Sequence, residues 1–189
     1  YIETSYPKFN HVTISENFRG MRLVNSNSLL ENLMITRTNT IGMQISSNSN
    51  PIMNYIYIVD NTSALGSPGL LIQNSNATLN HLTIINNNLT DELGVTSGGG
   101  IVLSNANPVI TNTIIWNNNS ESIYLFSGYG EPIITYSNVE GGWEGEGNID
   151  ADPLFTDPDN GDYTLQEGSP CIDAGTADID GDGVDDITD

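Results

Sequence analysis

Apolar and polar residues alternate in short runs along most of the chain, and the runs themselves recur. They read Phe9-Asn10-His11-Val12-Thr13-Ile14, Glu31-Asn32-Leu33-Met34-Ile35-Thr36, Met53-Asn54-Tyr55-Ile56-Tyr57-Ile58, Leu79-Asn80-His81-Leu82-Thr83-Ile84 and Thr111-Asn112-Thr113-Ile114-Ile115-Trp116. Successive copies are 22, 22, 26 and 32 residues apart. Alternation with a period of two is the mark of a strand with one buried side, and no stretch shows helical spacing. Strand-rich repeats with a period in the twenties predict a β-solenoid, in which each repeat is one coil and buries its apolar side only by stacking on its neighbours.

A second phrase fixes the other half of each coil. It recurs as Gly20-Met21-Arg22-Leu23, Gly42-Met43-Gln44-Ile45, Gly69-Leu70-Leu71-Ile72 and Gly100-Ile101-Val102-Leu103, with Ser122-Ile123-Tyr124-Leu125 as a fifth copy. Polar corners rich in Asn and Ser follow, such as Asn25-Ser26-Asn27 and Asn74-Ser75-Asn76. The expected fold is therefore all-β: a parallel β-helix of about six coils, each of two or three short strands.

Alternation then sorts the faces. Four inward files are predicted: Val12, Met34, Ile56, Leu82, Ile114; Ile14, Thr36, Ile58, Ile84, Trp116; Met21, Met43, Leu70, Ile101, Ile123; and Leu23, Ile45, Ile72, Leu103, Leu125. His11, Leu33, Tyr55, His81 and Thr113 form the predicted outward file. Asparagine tolerates left-handed backbone geometry, and its amide can both donate to and accept from the next coil. Two structural ladders follow: Asn10, Asn32, Asn54, Asn80, Asn112, and, seven residues later in each coil, Asn17, Asn39, Asn61, Asn87, Asn119.

Over about residues 6 to 140 the repeat unit resembles that of right-handed parallel β-helix proteins of bacterial secreted and cell-surface type, the pectate-lyase-like superfold. The handedness comes from that resemblance. The tail, with Gly147-Asn148-Ile149-Asp150-Ala151-Asp152-Pro153 and Gly168-Ser169-Pro170-Cys171-Ile172-Asp173, is similar to the closing segment of such secreted proteins. The expected organisation is coils over 1–145, a capping segment over 146–177 that covers the open end of the core, and an acidic loop over 178–189.

Charge narrows the function. The formal net charge is -20, and all four basic residues, Lys8, Arg19, Arg22 and Arg37, precede residue 38. Phosphate backbones and anionic lipid are held by clusters of Lys and Arg, so nucleic acid and charged membrane surfaces are not expected partners. No run approaches the roughly 20 apolar residues of a membrane span. The lone Cys171 excludes an intrachain disulfide and reads as a packed residue rather than a nucleophile. Ile2-Glu3-Thr4 reads as the end of a preceding coil, which points to a cleaved or longer precursor.

The strongest local motif is Asp178-Ile179-Asp180-Gly181-Asp182-Gly183-Val184-Asp185-Asp186-Ile187-Thr188-Asp189. Asp178, Asp180, Asp182, Asp186 and Asp189 stand at loop positions 1, 3, 5, 9 and 12, with Val184 offering its carbonyl at position 7, the spacing by which a tight loop wraps Ca2+ in oxygen. The loop resembles those of dockerins and thrombospondin type 3 repeats, although Asp185 replaces their usual apolar residue and Asp189 their usual Glu. Calcium and acidity together imply an extracellular or cell-surface setting.

Three roles stay open. Outward His11, Tyr55, Tyr57 and His81, with Trp143 and Tyr129 farther on, suit a polysaccharide-binding surface. A structural subunit stacking end to end or laterally on other copies suits an exposed β edge. A polysaccharide lyase would need a base, which could come only from Lys8, Arg19, Arg22, Arg37 or a histidine, with Lys8 and Arg22 able to share neighbouring coils, while a hydrolase would need convergent carboxylates, and Glu16, Glu31, Asp60, Asp91, Glu92 and Glu121 fall at different repeat positions. The expectation leans to a non-catalytic protein. Asn61, Asn76, Asn88 and Asn118 each open an Asn-x-Ser/Thr sequon.

Overall fold

The computed structural model describes residues 1–64, 66–90, 98–126, 130–179 and 182–185. It is a parallel β-solenoid of about five turns. One sheet stacks Ile2–Glu3, Met21–Val24, Met43–Ser46, Leu70–Gln73, Ile101–Ser104 and Ile123–Leu125. The other stacks Lys8–Ser15, Leu29–Thr36, Ile52–Val59 and Thr78–Ile85, then the shorter strands Val109–Thr111, Ile114–Trp116, Ile133–Thr135 and Asn138–Val139.

The long strands are each two faces joined by a bend. At the bend the backbone turns left-handed, at His11, Asn32, Tyr55 and His81 with φ of 54°, 53°, 56° and 55°. In the last coils Asn112 and Tyr136 hold the same place and divide separate strands. Each coil thus has three faces around one core. Leu30, Met53, Leu79 and Ile110 fill it from the face before the bend, Leu33, Ile56 and Leu82 with Ile35, Ile58, Ile84 and Ile115 from the face after it, and Leu23, Ile45, Ile72 and Leu103 from the first sheet.

The pairing corrects the predicted register in two coils. Asn10 pairs with Glu31, Glu31 with Asn54, Asn54 with Asn80, and Asn80 with Thr111, so Asn32 and Asn112 lie one position on, at the bend. Leu33 and Thr113, predicted outside, are buried; Met34 and Ile114, predicted inside, are outward and half-buried. Ile35 and Ile115 take the core places assigned to Thr36 and Trp116. A one-residue slip sends every side chain to the opposite face, so the register that buries Leu33 and Ile35 prevails over the one that aligns asparagines. Asparagine also suits the left-handed bend better than most residues.

The same slip runs through the second ladder. Its buried members are Asn61, Asn87 and Asn118, headed by Thr38, whereas Asn17, Asn39 and Asn119 are exposed. The Asn61 amide donates to Asn87 Oδ1 (2.9 Å) and the Asn87 amide to Asn118 Oδ1 (2.9 Å). Each also caps a main-chain carbonyl, of Ile35, Ile58 and Ile84 in turn. The first ladder is partial: Asn32 donates to Asn10 and Asn112 to Asn80, while Asn54 makes no side-chain hydrogen bond with the described residues. A further file lies on the surface, where Asn27, Asn50, Asn76 and Asn107 each accept a main-chain N–H from the next coil.

The tail does two things where one was expected. Residues 143 to 151 close the end of the stack, with Trp143 packed on the core, Ile149 bridged to Asn138, and Asn148 donating to the Ile134 carbonyl. The antiparallel hairpin of Phe155–Asp157 and Asp162–Leu165, turned through Pro158–Asn160 and a left-handed Gly161, lies instead along the side of the solenoid. Its Tyr163 packs on Val59 and Ile85, outward apolar residues that need a cover.

The Tyr163 hydroxyl donates to Asp60 Oδ2 (2.7 Å). Burial, and then this carboxylate, hold its pKa well above the ordinary 10.0 of tyrosine. A proton held more tightly in the folded state stabilises it below the ordinary pKa, and that contribution is lost as pH rises through and beyond 10.0. Alkaline titration is expected to release the hairpin, read as a step in tyrosinate absorbance that coincides with quenching change at Trp116. In Tyr163→Phe the other seven tyrosines still titrate, but the coincident change at Trp116 is expected to disappear; an unchanged Trp116 response would assign it elsewhere.

Candidate functional site

The returning tail stands off the solenoid and leaves a cleft of about 340 Å3. The solenoid wall carries Tyr55, Tyr57, His81 and Tyr136, and the tail wall carries Cys171 and Gly175. Tyr55 and His81 occupy the bend in consecutive coils, and their rings stack at 4.8 Å with 24° between planes. Tyr57, two residues along, stacks on Tyr163 at 6.1 Å. Stacking of like positions is a direct product of the solenoid repeat: the bend places the Tyr55 and His81 rings one coil spacing apart.

Two asparagines pin the tail wall. Asn112 donates from Nδ2 to the Thr176 carbonyl (2.9 Å) and accepts the Thr176 N–H at Oδ1 (2.8 Å), a two-point grip across 64 residues of chain. Gly175 is needed beside it, since a Cβ there would meet Asn112 Oδ1 at 2.8 Å. Asn138 donates to the Ala151 carbonyl (2.7 Å) and to Cys171 Sγ (3.1 Å). Burial raises the pKa of Cys171 and keeps it a thiol, and burial lowers that of His81 and keeps its imidazole neutral. The cleft therefore presents stacked rings and a neutral imidazole.

Of the four residues expected to touch a glycan, Tyr55, Tyr57 and His81 come together here. His11 sits at the bend of the first coil, exposed and outside the cleft. Trp143 is drawn into the end of the core, and Tyr129 lies outside the described residues. Tyr136, Asn112, Asn138 and the whole tail wall were not anticipated for this site.

The lyase candidates are separated. Lys8 lies on the second sheet, paired with Glu31 at 2.8 Å, and Arg22 on the first sheet, stacked over the Tyr1 ring at 5.4 Å. Of the acids, Glu16 pairs with Arg37 and Asp60 accepts from Tyr163 and Asn86, while Asp91 and Glu92 lie outside the described residues. The sequons divide as well: Asn61 and Asn118 are buried in the ladder, Asn76 and Asn88 are exposed.

Half of the acidic loop falls within the described residues. The Asp178 carboxylate accepts the Asp182 N–H (3.1 Å) and the Gly183 N–H (2.9 Å), and Asp182 accepts that of Val184 (2.9 Å). Asp180, Asp186 and Asp189 lie outside the described residues. Among the described residues no three His, Cys, Asp or Glu side chains are grouped to hold a metal, and no helix is long and apolar enough to cross a membrane.

Comparison with protein-family models, with curated proteins and with solved structures yields no match for this chain.

Proposed function

We propose that this is an extracellular, calcium-binding parallel β-helix of the right-handed type that serves by binding a surface polysaccharide rather than by turning it over. The observation that carries the reading is the cleft itself: Tyr55, Tyr57 and His81, from two coils, meet one wall of a groove whose other wall is the returned tail. Concave sites with aromatic walls and few polar groups are the usual form of a small-ligand site. A pyranose offers an apolar face to such rings and hydroxyls to the imidazole and the tyrosine hydroxyls.

Titration with a panel of soluble neutral and acidic oligosaccharides, followed by the histidine ring resonances, tests it. The His81 signal is expected to move saturably with at least one sugar and the His11 signal to stay. Tyr55→Ala is expected to weaken binding about tenfold, the equivalent of roughly 1.4 kcal/mol for a lost ring contact. Movement of neither histidine with any sugar would leave a structural role as the better reading, and release of unsaturated or reducing ends would make it an enzyme.

Calcium enters through the acidic loop. Carboxylates this closely spaced repel one another without a cation, and the Asp178 carboxylate already draws in the N–H groups of 182 and 183, as a loop wrapping an ion does. Calorimetric titration of the chelator-treated protein is expected to give saturable heat that vanishes in Asp178→Asn/Asp182→Asn. Equal heat in wild type and variant would rule the loop out.

A further inference from the structure

A second recess lies two residues farther along the same strands, under the opposite side of the hairpin. It encloses about 310 Å3 between Trp116 and Asn117 on the solenoid and Asp152, Phe155 and Gln166 on the tail. Trp116 is half-buried, and its register neighbour Ile85 is covered. The volume sits at the lower end of the roughly 300–1,000 Å3 of small-molecule sites.

The hydrogen-bond inventory gives the recess a definite chemistry. Asn117 spends its Nδ2 on Asn86 Oδ1 (2.7 Å), and Gln166 spends its Nε2 on the Phe155 carbonyl (2.8 Å). One oxygen of Asp152 accepts the Leu154 N–H (2.9 Å). Three acceptors are left, Asn117 Oδ1, Gln166 Oε1 and the second Asp152 oxygen, which have no hydrogen-bond partner among the described residues; each amide also keeps its second N–H. The Trp116 indole N–H has no partner among the described residues either. Each amide is anchored through one N–H to protein, which leaves its oxygen free to accept.

We infer that this recess binds a neutral pyranoside, with the sugar ring against the Trp116 indole and its hydroxyls donating to Asn117, Asp152 and Gln166. Hydroxyls are the donors that three fixed acceptors require, and a sugar's C–H face is what a half-buried indole accepts. A uronate or sulfated sugar is the wrong class. It would place an anion beside Asp152 in a chain of net charge -20 with no Lys or Arg after Arg37. The site shares no solenoid side chain with the Tyr55–His81 cleft, and it stands or falls independently of that reading.

The chain has two tryptophans, Trp116 and Trp143, so the indole N–H resonances of 15N-tryptophan-labelled protein report the site directly, with Trp143→Phe supplying the assignment. The probes are cellotetraose and mannotetraose against tetragalacturonate, up to about 10 mM, the range that detects a millimolar Kd. The Trp116 resonance is expected to move saturably with a neutral tetraose and not with tetragalacturonate, while the Trp143 resonance stays. Gln166→Met, which keeps chain length and removes the acceptor, is expected to raise the Kd about tenfold at unchanged Tm. Tyr55→Ala is expected to leave the Trp116 shift intact, which separates this site from the cleft. No movement with either neutral sugar, an equal response to the uronate, parallel movement of both indoles, or an unaltered Kd in Gln166→Met would each overturn the inference.

Discussion

Replacing Asn87 with alanine is expected to cost about 3 kcal/mol or more, while replacing Asn17 or Asn54 is expected to stay within about 0.5 kcal/mol. Asn87 is fully buried. Its amide donates to the Ile58 carbonyl (2.8 Å) and to Asn118 Oδ1 (2.9 Å), and its oxygen accepts from the Asn61 amide (2.9 Å). Alanine removes these three bonds and the one from the Asn61 main-chain N–H to Oδ1 (3.3 Å), and leaves that main-chain N–H and one of the two Asn61 amide N–H groups in the core without water or partner. Each stranded group costs about 1–3 kcal/mol, more than the bond itself is worth in net terms. Asn17 is exposed and bonds only the Ser15 carbonyl (3.0 Å), so solvent replaces what it loses. Thermal melts of the three variants decide the matter. Three kcal/mol corresponds to a fall in Tm of roughly 6–12 °C for a chain of this size. Equal melting of Asn87→Ala and Asn17→Ala would mean that the ladder is not what holds successive coils in register.

That contrast also marks what could be read from residues alone. The coil period was legible because apolar alternation and the Gly-led phrase return together. The register of the second and fifth coils was not. Asparagine fits both the strand position of Asn10 and the left-handed bend of Asn32, so matching letters matched two different backbone states. Apolar parity was the better guide in the second coil, where Leu33 and Ile35 fix the inside without reference to Asn; in the fifth it misleads, since Ile114 and Trp116 face outward and Thr113 and Ile115 lie inside. Pairing of Lys8 with Glu31 carried the same information. Tyr55, Tyr57 and His81 were legible as surface residues because outward strand positions need no apolar side chain. The wall opposite them was not legible, since it depends on Asn112 meeting Thr176 across 64 residues and on Tyr163 finding Asp60 across 103. Such contacts follow from the path of the tail, which no local pattern encodes.

The second large effect is expected at Gly69. Gly20, Gly42, Gly69 and Gly100 stack where the chain enters the first sheet, each against the carbonyl groups of the next coil. None is required by a left-handed backbone; the need is for space. A Cβ at Gly69 would lie far inside contact distance of the Gly100 carbonyl oxygen and 2.7 Å from that of Gly99. Those same oxygens accept the ladder bonds from Leu70 (2.8 Å) and Gly69 (3.0 Å). The obstruction is main chain on both sides, so no side chain can swing away, and relief must come from parting the third and fourth coils. Gly69→Ala is therefore expected to lose about 3 kcal/mol or more, the upper range of overpacking, because lost ladder bonds add to the steric cost. The damage should be local before it is global. Amide hydrogen exchange at Leu70 and Leu71 is expected to accelerate well ahead of that at Leu23, since each coil touches only its neighbours. Gly66→Ala, where a Cβ meets nothing but φ is 144°, serves as the comparison: it carries backbone strain alone. If Gly69→Ala melts with Gly66→Ala and leaves the Leu70 amide protected, close approach of the coils at this column is not what selects glycine there.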